Sequence, residues 1–217
     1  MTTNPPIILY IHGMGGGGDS RIPRLLKEGM DDVRICVRTY SFDPETAAAQ
    51  ISSWMDELRP ALVIGESLGS IHALRLRDVP HLFVSPSLRA PDYLYVLSLL
   101  ALIPGVPWLC GRIWRPKDGD RQALPFRPGI LRKYKAHWKA AIANVTGPGR
   151  RDYYYAFFGS RDHYRRSGVV SIRLWEKYFG ENYTVYDGTH FMEETYVSSL
   201  LIPKIREILI GKVAKNA

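Results

Sequence analysis

A serine flanked by two glycines stands where a predicted strand gives way to a predicted helix. In the run Ala61 to Gly69, the residues Gly65, Ser67 and Gly69 form the pattern G-x-S-x-G. Small flanking residues let a strand and a helix approach closely, so the turn between them is sharp and holds the serine hydroxyl above the sheet. We therefore interpret Ser67 as a nucleophile; an ordinary loop between a strand and a helix is the alternative interpretation.

A serine hydroxyl becomes an effective nucleophile only when a base takes its proton and an acid orients that base. Where the serine lies on such a turn, the acid and then the histidine follow it in the chain, in loops at the carboxyl ends of later strands. Asp162 follows a strand predicted over 153–158, and His190 follows a strand predicted over 183–186. The sequence therefore predicts a triad of Ser67, Asp162 and His190.

Other residues could take the acid role, and Asp162 could have another purpose. Asp187 lies only three residues before His190, and Asp152 stands at the opposite end of its strand. Asp162 itself could be a helix N-cap or a loop carboxylate. We expect the other histidines to be packed or solvated rather than reactive: His72, His81, His137 and His163.

The segment after the first predicted strand is the place for an oxyanion-binding group. It reads His12-Gly13-Met14, and glycine lets the backbone approach a substrate closely. We predict that the N–H groups of Met14 and Leu68 bind the oxyanion, and that His12 is a structural hydrogen-bonding residue. The glycine run at 15–18 could cradle a phosphate, but it lacks the Lys-Ser/Thr and G-x-G-x-x-G patterns. Nucleotide binding is therefore disfavoured.

Short apolar runs alternate with amphipathic stretches along most of the chain. Strands are predicted over 7–11, 33–40, 61–65, 81–85, 153–158 and 183–186. Helices are predicted from about 19–20, from Pro44 with Asp43 as N-cap to about 58, and over 68–77, 168–179 and 193–210. This alternation predicts an α/β domain with a mostly parallel sheet of about six strands and helices on both faces.

The alternation stops between residues 86 and 146, after the fourth strand. This segment contains Pro86, Pro91, Pro104, Pro107, Pro116, Pro125 and Pro128. We interpret it as a cap or lid insertion within a single domain over 1–217. Its apolar part, Tyr93 to Cys110, is broken by prolines and is shorter than the roughly 20 apolar residues of a membrane-spanning helix. It could line an acyl pocket, form a lid or pack over the core.

The net charge of +8 comes from one part of the chain. Residues 111–151 carry 11 Lys and Arg against Asp118 and Asp120 alone, while the flanking parts are nearly balanced. Such a cluster could attract an anionic substrate, an acidic membrane surface or nucleic acid, or could be a solvated face. Nucleic acid is disfavoured, because charge alone is not a recognition motif.

The two cysteines, Cys36 and Cys110, are far apart and lack the spacing of a metal site. This excludes a disulfide scaffold or zinc module and favours a reducing compartment. Residues 1–6 lack the basic start and cleavage site of a signal peptide, so we expect a cytoplasmic protein.

The motifs resemble those of the α/β-hydrolase superfamily, in its compact serine esterase-like branch. The resemblance covers 7–85 and 152–212 and includes His12-Gly13, Gly65-Glu66-Ser67-Leu68-Gly69, Asp162 and His190. It implies hydrolysis of a small-molecule acyl ester through an acyl-enzyme, without metal or cofactor. The family's two leading antiparallel strands are missing, and 86–146 corresponds only in position to the family's variable cap. An acyl thioesterase acting on an anionic carrier and a non-catalytic binding protein of this fold are the alternatives.

Overall fold

Six short strands form one sheet in which every neighbouring pair is parallel. The computed structural model describes residues 5–116, 118–146 and 153–216. The strands are β1 (Ile7–Ile11), β2 (Arg34–Val37), β3 (Leu62–Glu66), β4 (His81–Val84), β5 (Tyr154–Gly159) and β6 (Tyr183–Tyr186). Their order across the sheet is β2-β1-β3-β4-β5-β6. The predicted six-stranded sheet is confirmed.

Helices connect the strands. They are α1 (Arg21–Gly29), α2 (Pro44–Leu58), α3 (Gly69–Ala73), α4 (Ala90–Leu100), α5 (Val106–Ile113), α6 (Pro128–Thr146), α7 (His163–Arg166), α8 (Ile172–Phe179), α9 (Glu194–Tyr196), a π-helical segment (Val197–Leu201) and α10 (Ile202–Asn216). At the start of α2, the Asp43 carboxylate accepts the N–H groups of Glu45 and Thr46, and Pro44 occupies the first turn, as the sequence predicts.

The core lies on both faces of the sheet, because successive side chains of a strand point in opposite directions. From β1, Leu9 and Ile11 pack in a cluster with residues of α2, α3, α6 and α8. Ile8 and Tyr10 pack on the other face, with residues of α1, the π-helical segment and α10. The helices therefore cover both faces, as expected.

Tertiary contacts shorten one predicted helix. The sequence predicts α3 to about residue 77, but it ends at Ala73. The side-chain amide of Asn144, on α6, donates to the carbonyls of Leu74 and Leu76 at 2.8 and 3.2 Å. The chain after α3 thus has hydrogen-bond partners outside its own helix and leaves the helical path.

Several further boundaries differ from the prediction. β2 ends at Val37 rather than at residue 40; beyond it, the Thr39 hydroxyl accepts the N–H of Gly18, which is 21 positions away. α8 begins at residue 172 rather than 168: Ser171 caps it by accepting the Leu174 N–H at 3.2 Å. The helix predicted over 193–210 is divided into α9, the π-helical segment and α10. The apolar pattern contains no information on caps or on contacts between distant residues, so it leaves these boundaries undetermined.

The segment between β4 and β5 contains α4, α5 and α6. Leu131 and Tyr134 of α6 are buried in the same core cluster as α2 and α3, so α6 completes the helical layer on that face. α4 packs against α6. Neither α4 nor α5, nor any other helix of the described residues, is long and apolar enough to cross a membrane. That 86–146 acts as a cap or lid stays a prediction.

Candidate active site

Ser67 lies on a strained turn between β3 and α3. Its φ is +49°, a left-handed conformation that costs free energy in residues other than glycine. A Cβ on Gly69 would lie 2.3 Å from the His12 carbonyl oxygen, and one on Gly65 would lie 2.9 Å from Cα of Ser70. Both positions of the motif therefore require glycine, because neighbouring backbone lies too close to them for a side chain.

The structure brings Ser67, His190 and Asp162 into one hydrogen-bonded chain. His190 Nε2 is 2.9 Å from Ser67 Oγ, and His190 Nδ1 is 2.8 Å from Asp162 Oδ2. Because a carboxylate accepts hydrogen bonds, Nδ1 carries the proton and donates to Asp162. Nε2 then has a free lone pair and accepts the Ser67 hydroxyl proton. This is the arrangement in which imidazole can deprotonate a serine.

Asp162 both caps a helix and orients the histidine. Its Oδ1 accepts the Tyr164 N–H at 2.7 Å at the start of α7, while its Oδ2 faces His190. The rival Asp187 has a side chain that is 76% exposed and pairs with Arg161 at 3.0 Å. Asp152 lies outside the described residues. Of the described carboxylates that compete for this role, Asp162 is the one in contact with His190.

The loops that carry Asp162 and His190 are held together by backbone contacts. A Cβ on Gly159, at the end of β5, would lie 2.4 Å from the carbonyl oxygens of Gly188 and Thr189. On the other side of His190, the Arg21 guanidinium donates to the carbonyls of Phe191 and Met192. Glycine at 159 and arginine at 21 thereby fix the position of the histidine loop.

The predicted oxyanion donors lie beside the nucleophile. A Cβ on Gly13 would lie 3.0 Å from Ser67 Cβ, so the backbone entering Met14 passes directly against the serine. Among the described residues, neither the Met14 nor the Leu68 N–H donates to a protein acceptor. Both N–H groups are thus unpaired within the described residues, and that they bind an oxyanion stays a prediction.

Ser87 is a site residue that the sequence analysis did not find. Its Oγ is 3.1 Å from Ser67 Oγ, and its N–H donates to the Ser67 carbonyl at 3.1 Å. Since the Ser67 hydroxyl donates to His190, the Ser87 hydroxyl is the donor to Ser67 Oγ. The only sequence signal is its position just beyond β4, a neighbour of the strand that carries the nucleophile.

The glycine run at 15–18 has a packing role. A Cβ on Gly17 would lie 1.7 Å from the Asp120 carbonyl oxygen. The Gln122 N–H donates to the Gly16 carbonyl at 2.7 Å, and its side chain accepts the Gly15 N–H at 3.1 Å. Gly17 and Gly18 are needed because Asp120 lies directly against them, whereas a Cβ on Gly16 would meet the His12 side chain at 2.9 Å.

Three histidines form a separate buried group next to Tyr40. The ring of His12 stacks on Tyr40 at 4.3 Å, and His72 lies 5.1 Å from Tyr40 and 4.7 Å from His137. Burial lowers the pKa of His12 and of His137 to about 4, with a lesser contribution from Arg75 at His137. No group of histidine, cysteine or carboxylate side chains within the described ranges could hold a metal ion. These rings are packed and neutral.

The two remaining histidines, His81 and His163, lie away from Ser67. His81 is buried, and its Nε2 donates to the Ala73 carbonyl at 3.0 Å. His163 is exposed, and its ring lies 6.2 Å from that of His190. Neither contacts Ser67.

Three of the eight described basic residues in the cluster at 111–151 are ion-paired. Lys133 contacts Asp43 at 2.7 Å and Glu45 at 2.6 Å, at the start of α2. Further pairs join Arg121 to Asp19 and Lys135 to Asp92. The pairs of Lys133 and Arg121 connect the 86–146 segment to the rest of the domain, and the pair of Lys135 with Asp92 joins α6 to α4 within that segment. Lys117, Arg150 and Arg151 lie outside the described residues.

Solved structures share this architecture across nearly the whole chain. A monoacylglycerol lipase from Paleococcus ferrophilus is 15% identical, with 94% of this chain and 93% of that chain covered and a TM-score of 0.62. A thermophilic esterase from Thermogutta terrifontis is 12% identical, with 95% and 91% covered and a TM-score of 0.64.

A third similar structure is that of a protein whose described reaction is ring cleavage rather than that of a lipase or an esterase. AqDC, described as recognising and cleaving the ring of the Pseudomonas quinolone signal, is 14% identical, with 96% and 93% covered and a TM-score of 0.62. No protein-family model matches the sequence, and no curated protein matches it. At these identities the similarity identifies the architecture rather than the reaction: the chain has the α/β-hydrolase fold.

Proposed function

We propose that this protein is a serine hydrolase that cleaves carboxylic esters through an acyl-enzyme on Ser67. The observation that carries the proposal is the hydrogen-bonded chain from Ser67 Oγ through His190 to Asp162, with distances of 2.9 and 2.8 Å. The strained φ of Ser67 adds support, since strain at a polar residue is typical of active sites. A fold alone would not justify the proposal, because unrelated reactions share folds.

In the acylation step, Ser67 Oγ attacks the ester carbonyl carbon while its proton moves to His190 Nε2. The carbonyl oxygen becomes an oxyanion, which accepts hydrogen bonds from the N–H groups of Met14 and Leu68. Asp162 stabilises the positive imidazolium without taking its proton. The C–O bond to the alcohol then breaks, and the alcohol leaves with the proton from His190.

In the deacylation step, water replaces the alcohol. His190 takes a proton from the water, whose oxygen attacks the acyl carbon bound to Ser67. The second tetrahedral intermediate collapses, the carboxylic acid leaves, and His190 returns its proton to Ser67 Oγ. The cycle uses this chain's own side chains for every proton transfer.

Labelling with a fluorophosphonate tests this proposal, because the probe reacts with an activated serine beside an oxyanion-binding group. We expect one adduct, located on Ser67 by mass spectrometry. Ser67→Ala should be unlabelled with an unchanged unfolding midpoint, and Ser87→Ala should still be labelled at Ser67. Hydrolysis of p-nitrophenyl esters of increasing acyl length then tests turnover.

The labelling result also separates the proposal from a non-catalytic binding protein. Folded wild-type protein that gives no adduct and no ester turnover would overturn the hydrolase and favour the binding protein. An adduct that persists in Ser67→Ala would instead move the nucleophile to another residue. A cytoplasmic location, expected from the sequence, stays a prediction.

A basic pocket favours acyl thioesters on an anionic carrier as a second candidate substrate. A cavity of about 450 Å³ is lined by Arg89, Ser171, Arg173, Leu174 and Lys177. Arg89 lies two residues after Ser87, whose hydroxyl contacts Ser67. A negatively charged carrier bound in this cavity would contact the segment that follows Ser87.

Comparing an acyl-coenzyme A with the p-nitrophenyl ester of the same acyl group tests this second candidate. Arg173→Gln with Lys177→Gln should raise KM for the thioester about tenfold at low salt, since two lost charge contacts at about 0.7 kcal/mol each weaken binding by about 1.4 kcal/mol. The ester's KM should not change. The matched control is Arg24→Gln with Lys27→Gln, on α1. Equal effects of the two pairs would contradict a carrier site.

A further inference from the structure

The two consecutive helices α4 and α5, with the connection 101–105 between them, form a segment that we call the hairpin. Eight of its aliphatic and tryptophan side chains are exposed, and we call them the apolar hairpin face: Val96, Leu99, Leu100, Leu102, Ile103, Trp108, Leu109 and Ile113. Soluble proteins rarely expose contiguous apolar patches of more than a few hundred Å² without a purpose. The face is therefore a candidate interaction surface.

Packing against the domain does not require these residues. The hairpin is attached by its inner side, where Leu94, Ala101 and Cys110 are buried in the core cluster. Tyr93 adds a hydrogen bond from its hydroxyl to the Ser167 carbonyl. A surface helix attached on one side normally has polar residues on the other. The outer residues of this hairpin are apolar instead, so they are available to a second contact.

The charge of the hairpin identifies the kind of partner. Its carboxylate, Asp92 in the first turn of α4, pairs with Lys135 and Arg89. Residues 93–116 contain no aspartate or glutamate, and their only charged residues are Arg112 and Arg115. Both arginines are exposed, and the Arg112 guanidinium lies 5.7 Å from the ring of Trp108. Helices that lie in the interface of an anionic membrane typically combine leucine and isoleucine with tryptophan and arginine. The hairpin has this composition.

We propose that the apolar hairpin face docks on the surface of a membrane that contains anionic lipids. The connection between α4 and α5 carries Leu102 and Ile103, which enter the acyl-chain boundary. Trp108 lies at the level of the headgroups, where tryptophan is favoured. Arg112 and Arg115 contact lipid phosphates.

This contact places the hairpin on the membrane rather than across it. α4 has 11 residues and α5 has 8, so at 1.5 Å per residue they extend about 16 and 12 Å. The hydrocarbon core is about 30 Å thick. An interfacial element of this kind penetrates only about 5–10 Å, a depth that the hairpin can reach while its inner side stays packed.

A second copy of the chain is a poorer occupant of the same face. A two-fold contact through the hairpin would place four arginines, Arg112 and Arg115 of each copy, in one interface with no carboxylate of residues 93–116 to pair with them. Like charges brought together in this way disfavour association. An anionic lipid surface instead satisfies the arginines and the apolar side chains together.

Co-sedimentation with vesicles tests the proposal. Wild-type protein should bind phosphatidylcholine vesicles that contain phosphatidylglycerol, and bind phosphatidylcholine alone more weakly. Leu102→Asp, at a side chain that is 61% exposed, should weaken binding by about tenfold or more. The matched control Ile210→Asp, at a residue of α10 that is 69% exposed, should not change binding. Arg112→Gln with Arg115→Gln should weaken binding to the anionic vesicles only.

Quenching of tryptophan fluorescence by brominated lipids identifies the inserted residue. Wild-type fluorescence should be quenched, and Trp108→Phe should lose most of that quenching. Absence of binding to anionic vesicles at low salt would overturn the proposal, as would equal losses in Leu102→Asp and Ile210→Asp. A dimer that Leu102→Asp converts to monomer, without vesicle binding by the wild type, would assign the face to a second copy. None of these results depends on whether Ser67 is catalytic.

Discussion

His190 and His72 are equally buried, at 2% exposure each, but their ring nitrogens have opposite surroundings. Both nitrogens of His190 have hydrogen-bond partners, the Asp162 carboxylate and the Ser67 hydroxyl. Neither nitrogen of His72 has a hydrogen-bond partner among the described residues. Instead, His72 is surrounded by the rings of Tyr40, Tyr134 and His137.

This difference separates a histidine that can move a proton from one that fills space. A carboxylate at Nδ1 stabilises the imidazolium that forms when Nε2 takes a proton. Without such a partner, burial opposes the charged form, and the pKa of His72 lies well below its usual range because of burial and the neighbouring His137 and His12. Burial alone therefore does not identify a catalytic histidine; the partners of its nitrogens do.

The largest expected effect is from His190→Gln. Glutamine cannot take the Ser67 proton, so kcat for ester hydrolysis should fall by about 10⁴-fold or more. The matched control is His163→Gln, at the exposed neighbour, which should keep near wild-type turnover. Steady-state kinetics on a p-nitrophenyl ester measures both. If His163→Gln lowered kcat as much as His190→Gln, the role of general base could not be assigned to His190 alone.

Asp162→Asn should have the next largest effect. An asparagine at this position can stabilise the wrong imidazole tautomer, so kcat should fall by about 10³–10⁴-fold. Asp187→Asn should change kcat by less than about twofold, since its side chain pairs with Arg161 at the surface. If Asp187→Asn gave the larger loss, the acid role would belong to Asp187.

Acid unfolding tests the other histidine group. The pKa of His12 and of His137 is about 4 in the folded protein and 6.5 without the fold. Between these pH values the unfolded chain binds more protons, so the free energy of unfolding decreases as the pH falls from about 6.5 to about 4. The loss should be on the order of a few kcal/mol, at about 1.4 kcal/mol per pKa unit. Urea unfolding at several pH values measures it.

His72→Leu sharpens the same test. Because neither ring nitrogen has a hydrogen-bond partner among the described residues, the free energy of unfolding at neutral pH should change by only about 1 kcal/mol. The decrease on acidification should become smaller, since one protonation site of the unfolded chain is removed. A steeper decrease in His72→Leu would mean that this ring is not held neutral by burial.

The smallest expected effect is from Ser87→Ala. Its hydroxyl donates to Ser67 Oγ at 3.1 Å, and a single neutral hydrogen bond contributes about 1 kcal/mol. We expect kcat to fall by about three- to tenfold with little change in KM, because the contact positions the nucleophile rather than the substrate. Ser85→Ala, at the neighbouring buried serine, is the matched control. A change in KM alone would place Ser87 in the substrate site instead.

The sequence by itself determined the sheet, the turn at Ser67 and the order of the site residues. Apolar runs of strand length are local signals, and so is G-x-S-x-G between a strand and a helix. Because parallel strands end at one edge of a sheet, residues that follow β3, β5 and β6 share that edge. This reasoning placed Ser67, Asp162 and His190 in neighbouring loops without knowledge of any contact.

Only the tertiary structure decided which of the nearby groups meet. Asp162 and Asp187 both lie in loops at that edge, and side-chain direction separates them. Ser87 reaches Ser67 across the boundary between two strands, 20 positions apart in the chain.

The structure likewise explained two features for which the sequence left more than one interpretation open. Gly17 and Gly18 are needed for contact with Asp120, and Lys133 pairs with Asp43, 90 positions away. Such contacts join residues far apart in the chain, so they depend on how helices and loops pack. Periodicity and local motifs determine which elements form; the packing between those elements decides which side chains can react together.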